Sequence, residues 1–114
     1  MVQQIFPRLI VHGGAGPWIE DNHNQALDGV RAAARAGWAV LQAGGSALDA
    51  VEAATIVLED DPLFDAGVGS FLNDQGEVEM DALITDGDQL DFGAIAAVKH
   101  VRNPIMLARR VMTN

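Results

Sequence analysis

Residues 58–70 carry the side chains and backbone best suited to chemistry in this 114-residue sequence. The stretch combines Pro62, the aromatic ring of Phe64, two glycines in G-x-G spacing and four acidic side chains. Proline fixes φ and glycine permits backbone angles closed to other residues, so such a loop can aim several carbonyl oxygens at one point. Convergent carbonyls suit a hard cation. The same composition is also typical of a tight turn between a helix and a strand, and both interpretations stand at this stage.

A second glycine-rich segment, residues 12–16, follows a short β-branched run. Its glycines allow a close backbone approach or the convergence of amides on an anion. Neither a Gly-Lys-Ser/Thr sequence nor G-x-G-x-x-G spacing is present, which disfavours a phosphate-binding loop. His12 is either a ligand or base, or a hydrogen-bonded structural residue at a strand end. His23 and His100 share no metal-ligand spacing with it.

Composition narrows the function classes. The formal net charge is −9 and the pI is about 4.4, which argues against nucleic acid and anionic membrane surfaces as partners. There are no cysteines, which excludes disulfides and thiolate metal sites and fits a reducing compartment. No basic, apolar leader opens the sequence and no apolar run is long enough to span a bilayer. A cytoplasmic protein is expected.

Two helices are predicted between the two glycine segments. Apolar residues at spacings of three and four predict a helix of about twenty residues after a loop over residues 18–23. Its buried stripe is expected to comprise Leu27, Val30, Ala34, Trp38 and Leu41. Gly44-Gly45 ends this helix, and Ser46 with Asp49 predicts a capping box for the next one, which Pro62 stops. The second stripe is expected to comprise Leu48, Val51, Thr55 and Leu58, widened by alanines.

Strands are predicted around this pair of helices, at residues 8–12, 70–73, 77–85 and 92–99. The turn at residues 73–76 predicts a hairpin, and Asp81 within it is either a site residue or a solvated or hydrogen-bonded strand residue. Asn103 as N-cap and Pro104 at N1 predict a last helix. The predicted class is α+β, in the order β-α-α-β-β-β-α, with an open sheet edge and one bare face. Such a sheet indicates an incomplete domain.

In order and spacing, these segments resemble the plant-type asparaginase/isoaspartyl peptidase family. The matching segments are VHGGAG at 11–16, LE at 58–59, DPLFDAGVGS at 61–70, MDA at 80–82, DG at 86–87, GA at 93–94, VRNPI at 101–105 and AR at 108–109. The resemblance covers the whole chain and implies the αββα sandwich of N-terminal-nucleophile hydrolases. Residues 1–114 then form the N-terminal portion of a single domain, about the first third of a family precursor.

The resemblance also implies a mechanism. A threonine freed by self-cleavage attacks the amide of asparagine or the isopeptide bond of a β-aspartyl dipeptide, with its own α-amine as base. An oxyanion hole stabilises the intermediate. Thr55, Thr85 and Thr113 follow Ala, Ile and Met, not the glycine that precedes the family's scissile bond. No catalytic residue is therefore assigned here, and the chain alone is expected to be inactive.

The resemblance implies that this chain contains residues that support the active site, although it contains no catalytic residue. Residues 58–68 match the family's sodium-binding loop, and no cofactor is expected for catalysis. The implied sodium ligands are the carbonyls of Leu58, Glu59, Asp61, Phe64, Ala66 and Val68. The implied active-site supports are His12, Gly13, Gly14, Gly16 and Asp65. Asp65 stands where the family commonly has Asn, which exchanges two donors for a carboxylate and bears on substrate preference or processing rate.

The implied partners are the rest of the same precursor, in an (αβ)2 assembly, and an asparagine or β-aspartyl peptide substrate. Two alternatives remain. One is a non-catalytic module that pairs with another chain through its open edge and bare face, and the other is a glycosylasparaginase-like amidase. A Gly-Thr downstream of Asn114 favours the enzyme, and a stop codon there favours the module.

Overall fold

A pair of packed helices forms the first half of the fold. The computed structural model describes residues 4–16 and 20–114. A 3-10 turn at Glu20–Asn22 leads into α1 (His23–Gln42), and α2 follows at Ala47–Asp60. The predicted loop at residues 18–23 lies partly outside the described residues. Asn22 occupies the N-cap position of α1 but its side chain makes no capping hydrogen bond.

The connection between the two helices forms as the sequence predicts, through a glycine that ends α1 and a capping box that starts α2. Gly44 adopts a φ of +82°, a left-handed conformation that favours glycine. The N–H of Asp49 then donates to Ser46 Oγ at 3.0 Å, and the N–H of Ser46 donates to Asp49 Oδ2 at 3.4 Å. This reciprocal pair is the capping box that starts α2.

The buried face of α1 differs from the predicted one. Its buried residues are Gly29, Ala33 and Gly37, whereas Leu27 and Trp38 are 51% and 39% exposed. The cause is the close approach of the helices, since a Cβ on Gly37 would lie 2.9 Å from the Ala50 carbonyl oxygen. A contact this close admits only small side chains.

The same close approach shifts the buried face of α2. Ala50 and Ala54 are buried, whereas Val51, which the predicted stripe included, is 38% exposed.

The second half of the fold is a β-hairpin covered by a helix. Strands β1 (Met80–Asp86) and β2 (Asp91–Val98) pair antiparallel, with Ile84 opposite Gly93. Helix α3 (Pro104–Thr113) crosses β2 at Gly93, where a Cβ would collide with the Ala108 carbonyl. Ile84, Ile105 and Ala108 form the buried centre of this unit.

Asp81 has a structural role at an irregularity in this hairpin. The register shifts between Met80 and Ala82, and Ala97 opposite adopts a φ of +53°. The N–H of Ala97 donates to Asp81 Oδ1 at 2.7 Å. Of the two predictions for Asp81, the hydrogen bond supports a strand residue with a structural role over a site residue.

Two predicted strands are wrong. Residues 8–12 form no strand, because no described strand runs beside them to accept their backbone hydrogen bonds, and Ile10 is 93% exposed. Residues 70–73 contribute only an isolated bridge between Leu72 and Val78. The class remains α+β, but the described order is α-α-β-β-α. No helix in the described ranges is long and apolar enough to cross a membrane.

Candidate functional site

The two glycine-rich segments that the sequence singles out lie on one cavity of about 510 Å³. Residues 12–16 form one wall of it. The opposite wall comes from the loop after α2. This second wall is lined by Leu58 from the last turn of α2 and by the loop residues Leu63, Phe64, Asp65, Ala66, Gly69 and Phe71. Segments more than forty positions apart in the sequence thus meet at a single concave site.

The ring of Phe64 holds these walls together. It is 2% exposed and lies between two glycines. A Cβ on Gly13 would lie 2.8 Å from Phe64 Cε1, and a Cβ on Gly29 would lie 2.8 Å from Phe64 Cζ. Real side chains do not approach so closely, so the ring occupies space that only glycine leaves open. Phe64 therefore fixes residues 58–70 against both α1 and the first glycine segment.

The loop at residues 58–70 is wound tightly by its own backbone. The N–H of Val68 donates to the Glu59 carbonyl at 2.8 Å, and the N–H of Ala66 donates to the Phe64 carbonyl at 2.9 Å. Gly67 packs directly on the Glu59 carbonyl. Gly69 packs on the carbonyl of Phe64 in the same way. The glycines are needed here because any Cβ would strike these oxygens.

The implied sodium ligands are all main-chain oxygens of this loop. The carbonyls of Glu59, Asp61 and Phe64 already accept one backbone N–H each. A carbonyl has two lone pairs, so each can still face a cation. Within residues 4–16 and 20–114, no group of three or more His, Asp or Glu side chains is placed to hold a metal ion. Any cation here would thus depend on backbone oxygens.

Asp65 lines the cavity, and its side chain closes the loop by a hydrogen bond. Its Oδ1 accepts the N–H of Phe71 at 3.0 Å. The side chain is exposed. An asparagine Oδ1 can accept the same hydrogen bond, so the carboxylate differs from an amide only at its second oxygen. That oxygen is where a departure from Asn would change the chemistry of the cavity.

His12 has a local partner. The N–H of Gly14 donates to His12 Nδ1 at 3.1 Å, while Gly14 adopts a φ of +113°. An accepting Nδ1 leaves the proton of the neutral ring on Nε2. This geometry favours the hydrogen-bonded structural reading of His12. His23 and His100 line two other cavities, so the structure does not bring the three histidines together.

Sequence reasoning missed the side chain of Glu59. It is 2% exposed, its Oε1 accepts the N–H of Ile105 at 2.8 Å and its Oε2 accepts Asn103 Nδ2 at 3.1 Å. Burial raises the pKa of Glu59, and the hydrogen bonds from Ile105 and Asn103 partly oppose that rise. One signal was available in the sequence. Thr55 belongs to the predicted buried stripe of α2, and Glu59 lies four residues later, on the same side of the helix.

Asn103 is correspondingly not the side-chain cap that the sequence predicts for α3. It occupies the N-cap position and Pro104 follows at the start of the helix, but the Asn103 amide makes no capping hydrogen bond. It donates instead to Glu59 and to Asp60 Oδ1, the latter at 3.0 Å. The carboxylate of Glu59, from α2, accepts the N–H of Ile105 and caps α3 in place of the Asn103 side chain.

Comparison with known proteins agrees with the resemblance. Residues 5–114 match the family model described as Asparaginase. The chain is 54% identical over 107 residues to the human isoaspartyl peptidase/L-asparaginase, covering 93% of this chain and 35% of that protein. It is 52% identical over 108 residues to the isoaspartyl peptidase/L-asparaginase of Danio rerio, covering 95% of this chain and 35% of that protein.

A third relative has a similar sequence identity to the chain. The chain is 54% identical over 105 residues to the plant-type L-asparaginase of Pyrococcus abyssi, covering 91% of this chain and 34% of that protein. The chain thus spans about a third of the length of the curated relatives it matches. With a family match over nearly all of its residues and identities above 50%, the chain belongs to the asparaginase family.

Proposed function

We propose that the protein to which this chain belongs hydrolyses asparagine and β-aspartyl dipeptides. The observation that carries the proposal is the 54% identity to the human isoaspartyl peptidase/L-asparaginase over 93% of this chain. The cavity between residues 12–16 and the loop after α2 supports it, because a concave site lined mainly by apolar side chains, with a few polar groups, is typical of small-molecule binding.

We propose a threonine nucleophile released by self-cleavage and located outside these 114 residues. Thr55 lies within α2, Thr85 within β1 and Thr113 at the end of α3, and none of them lines the 510 Å³ cavity. A threonine hydroxyl becomes an effective nucleophile only when a base takes its proton, and a freed α-amine on the same residue provides one. In this scheme the present chain contributes walls that position the nucleophile.

We propose that residues 58–68 bind a structural sodium ion through their carbonyls. Support comes from Gly69, where a single Cβ would collide with the carbonyl oxygens of both Pro62 and Phe64, so backbone oxygens of the loop lie close together there. Carbonyl oxygens are suitable ligands for a hard cation. The ion would stabilise the loop and take no part in bond cleavage.

We further propose a cytoplasmic enzyme in which this chain packs against the rest of the same precursor in an (αβ)2 assembly. The lack of cysteine fits a reducing compartment. Leu83 and Phe92, on adjacent strands, are 59% and 64% exposed. In the described residues the sheet has two strands and no further neighbour. An uncovered apolar sheet face and open edges are typical of a surface that another segment covers.

The test uses the complete gene product. Intact-mass analysis is expected to show two chains, the second beginning with threonine, and an assay is expected to show aspartate released from a β-aspartyl dipeptide. Substitution of that threonine by alanine is expected to abolish both self-cleavage and turnover. A folded, uncleaved product without turnover above a heat-inactivated control would contradict the proposal and favour a non-catalytic module.

A further inference from the structure

The carboxylate of Glu59 caps a helix from a distant part of the chain. Helix α3 begins at Pro104, which has no N–H, so the first donor that needs a partner is the N–H of Ile105. Glu59 Oε1 accepts it at 2.8 Å from 46 residues earlier in the sequence. Negative charge at a helix N-terminus also interacts favourably with the helix dipole.

The backbone of the same residue closes the loop that lines the cavity. The Glu59 carbonyl accepts the N–H of Val68 at 2.8 Å, and Gly67 packs on that carbonyl. The side chain and the main chain of Glu59 therefore hold two different structures. One is the start of α3 and the other is the loop at residues 58–70.

The neighbouring residue reinforces the connection to α3 but not the loop closure. Asp60 accepts Asn103 Nδ2 at 3.0 Å and Arg102 Nε at 3.3 Å. Because Glu59 Oε2 accepts the same Asn103 amide at 3.1 Å, the Asn103 side chain is shared between two adjacent carboxylates. Of the two, only Glu59 is buried, so its orientation is the more restricted.

We propose that Glu59 is a positioning residue that fixes residues 58–70 to the N-terminus of α3, and through that loop holds the wall that carries Phe64 and Asp65. Glu59 does not line the cavity, so its effect on the site is transmitted by the loop. The expected effect of Glu59 on turnover rests on the proposed function. Its expected effect on the order of the loop rests on the fold alone.

Hydrogen exchange on the complete gene product tests the inference without reference to activity. In Glu59→Ala the carbonyl of residue 59 is kept, but the side-chain hydrogen bonds that anchor this residue to Ile105 and Asn103 are lost. Backbone amides at residues 61–71 are therefore expected to exchange about tenfold faster than in wild type, the size of effect typical of one lost hydrogen bond of this kind. Glu59→Gln keeps an acceptor for Ile105 and is expected to restore most of the protection. Amides in the middle of α1 are expected to be unchanged.

Glu52→Ala is the matched control. Glu52 also lies on α2, seven residues before Glu59, and contacts α3 through an ion pair with Arg109 at 3.3 Å instead of through the Ile105 N–H. Its removal is expected to leave exchange at residues 61–71 at the wild-type rate. Equal exchange of the loop in Glu59→Ala and wild type, or equal acceleration in Glu52→Ala, would overturn the inference.

Turnover gives the second measurement. Below the melting temperature of each variant, kcat/KM for a β-aspartyl dipeptide is expected to fall about tenfold in Glu59→Ala and about threefold or less in Glu59→Gln. If Glu59→Ala lowers thermal stability alone and keeps the wild-type kcat/KM, the positioning role is wrong. If wild type itself has no turnover, the proposed function fails, and the exchange experiment still decides the role of Glu59.

Should Glu59→Ala fail to fold, Asn103→Ala removes a partner on the α3 side and leaves Glu59 intact. The inference predicts faster exchange at residues 61–71 in this variant too. Combined with Glu59→Gln, the second substitution is expected to add less than it does alone, because the two residues share one hydrogen bond. Full additivity would count against the inference.

Discussion

The ring of Phe64 occupies the space that a side chain on Gly13 would need: a Cβ there would lie 2.8 Å from Phe64 Cε1. This relationship joins a loop that follows α2 to a segment near the N-terminus, and the cavity of about 510 Å³ lies along their junction. The shape of the site thus depends on glycine at position 13, because even the methyl group of an alanine would overlap the ring of Phe64.

Gly13→Ala is expected to destabilise the fold by roughly 1–3 kcal/mol, because overpacking of a buried contact forces neighbouring side chains off their rotamers. The Cβ would also lie 2.6 Å from Val30 Cγ2, so movement of the Phe64 ring alone would not relieve the overlap. Chemical denaturation of the complete gene product measures the effect. Gly16→Ala is the control, since a Cβ there meets nothing within 4 Å. Equal midpoints for the two variants would contradict the tight contact between Phe64 and Gly13.

Asp65→Asn is expected to leave stability within about 0.5 kcal/mol of wild type, because an amide oxygen can accept the Phe71 N–H as the carboxylate does. Asp65→Ala removes the acceptor and is expected to cost about 1 kcal/mol. Thermal melts distinguish the two. The ratio of kcat/KM between asparagine and a β-aspartyl dipeptide is expected to change in Asp65→Asn, through the atom that replaces the second carboxylate oxygen. An unchanged ratio would show that this oxygen does not influence the substrate.

Sodium is expected to raise the melting temperature of the complete gene product relative to a bulky organic cation at equal ionic strength, since only the smaller ion fits among loop carbonyls. Gly67→Ala is expected to abolish the difference, because its Cβ would collide with the Glu59 carbonyl. Gly87→Ala serves as control, with nothing within 4 Å of its Cβ. Identical melting temperatures of wild type in both salts would exclude a stabilising sodium site.

Acid is expected to weaken the link between α2 and α3. The hydrogen bond from Arg109, at 2.7 Å, is the main reason that the pKa of Asp49 lies below its ordinary value, and the bonds from Ser46 add to it. A carboxyl with a lowered folded-state pKa contributes stability above its unfolded pKa and loses it as the pH falls through the folded value.

The difference in denaturation midpoint between pH 7 and pH 3 is therefore expected to be smaller in Asp49→Asn than in wild type. Denaturant titrations at the two pH values measure it. An equal difference in both proteins would show that Asp49 does not contribute to the acid sensitivity of the fold.

Local signals in the sequence predicted the features that depend on neighbouring residues. Ser46 and Asp49 form the expected capping box, and Pro104 begins α3 as expected. Both features are predictable because the residues that determine them lie within a few positions of each other.

Features set by distant partners were missed for the opposite reason. The periodicity of α1 favoured Leu27 and Trp38 as buried, but the helix packs through Gly29, Ala33 and Gly37 because α2 approaches closely. The role of the Glu59 carboxylate depends on Ile105, far along the chain. Spacing along one element does not reveal how close its neighbour will lie.

Hydrolysis of a β-aspartyl dipeptide by the complete gene product tests the central claim most directly, with wild type, Gly13→Ala and Gly87→Ala measured side by side. We expect aspartate release by wild type and Gly87→Ala at similar kcat/KM, because Gly87 lies outside the cavity and a Cβ there meets nothing within 4 Å. We expect a loss of about tenfold or more in Gly13→Ala at a temperature where all three are folded. No release by folded wild type above a heat-inactivated control would contradict the proposed activity. Equal rates in all three proteins would contradict the place of the Phe64–Gly13 junction in the site.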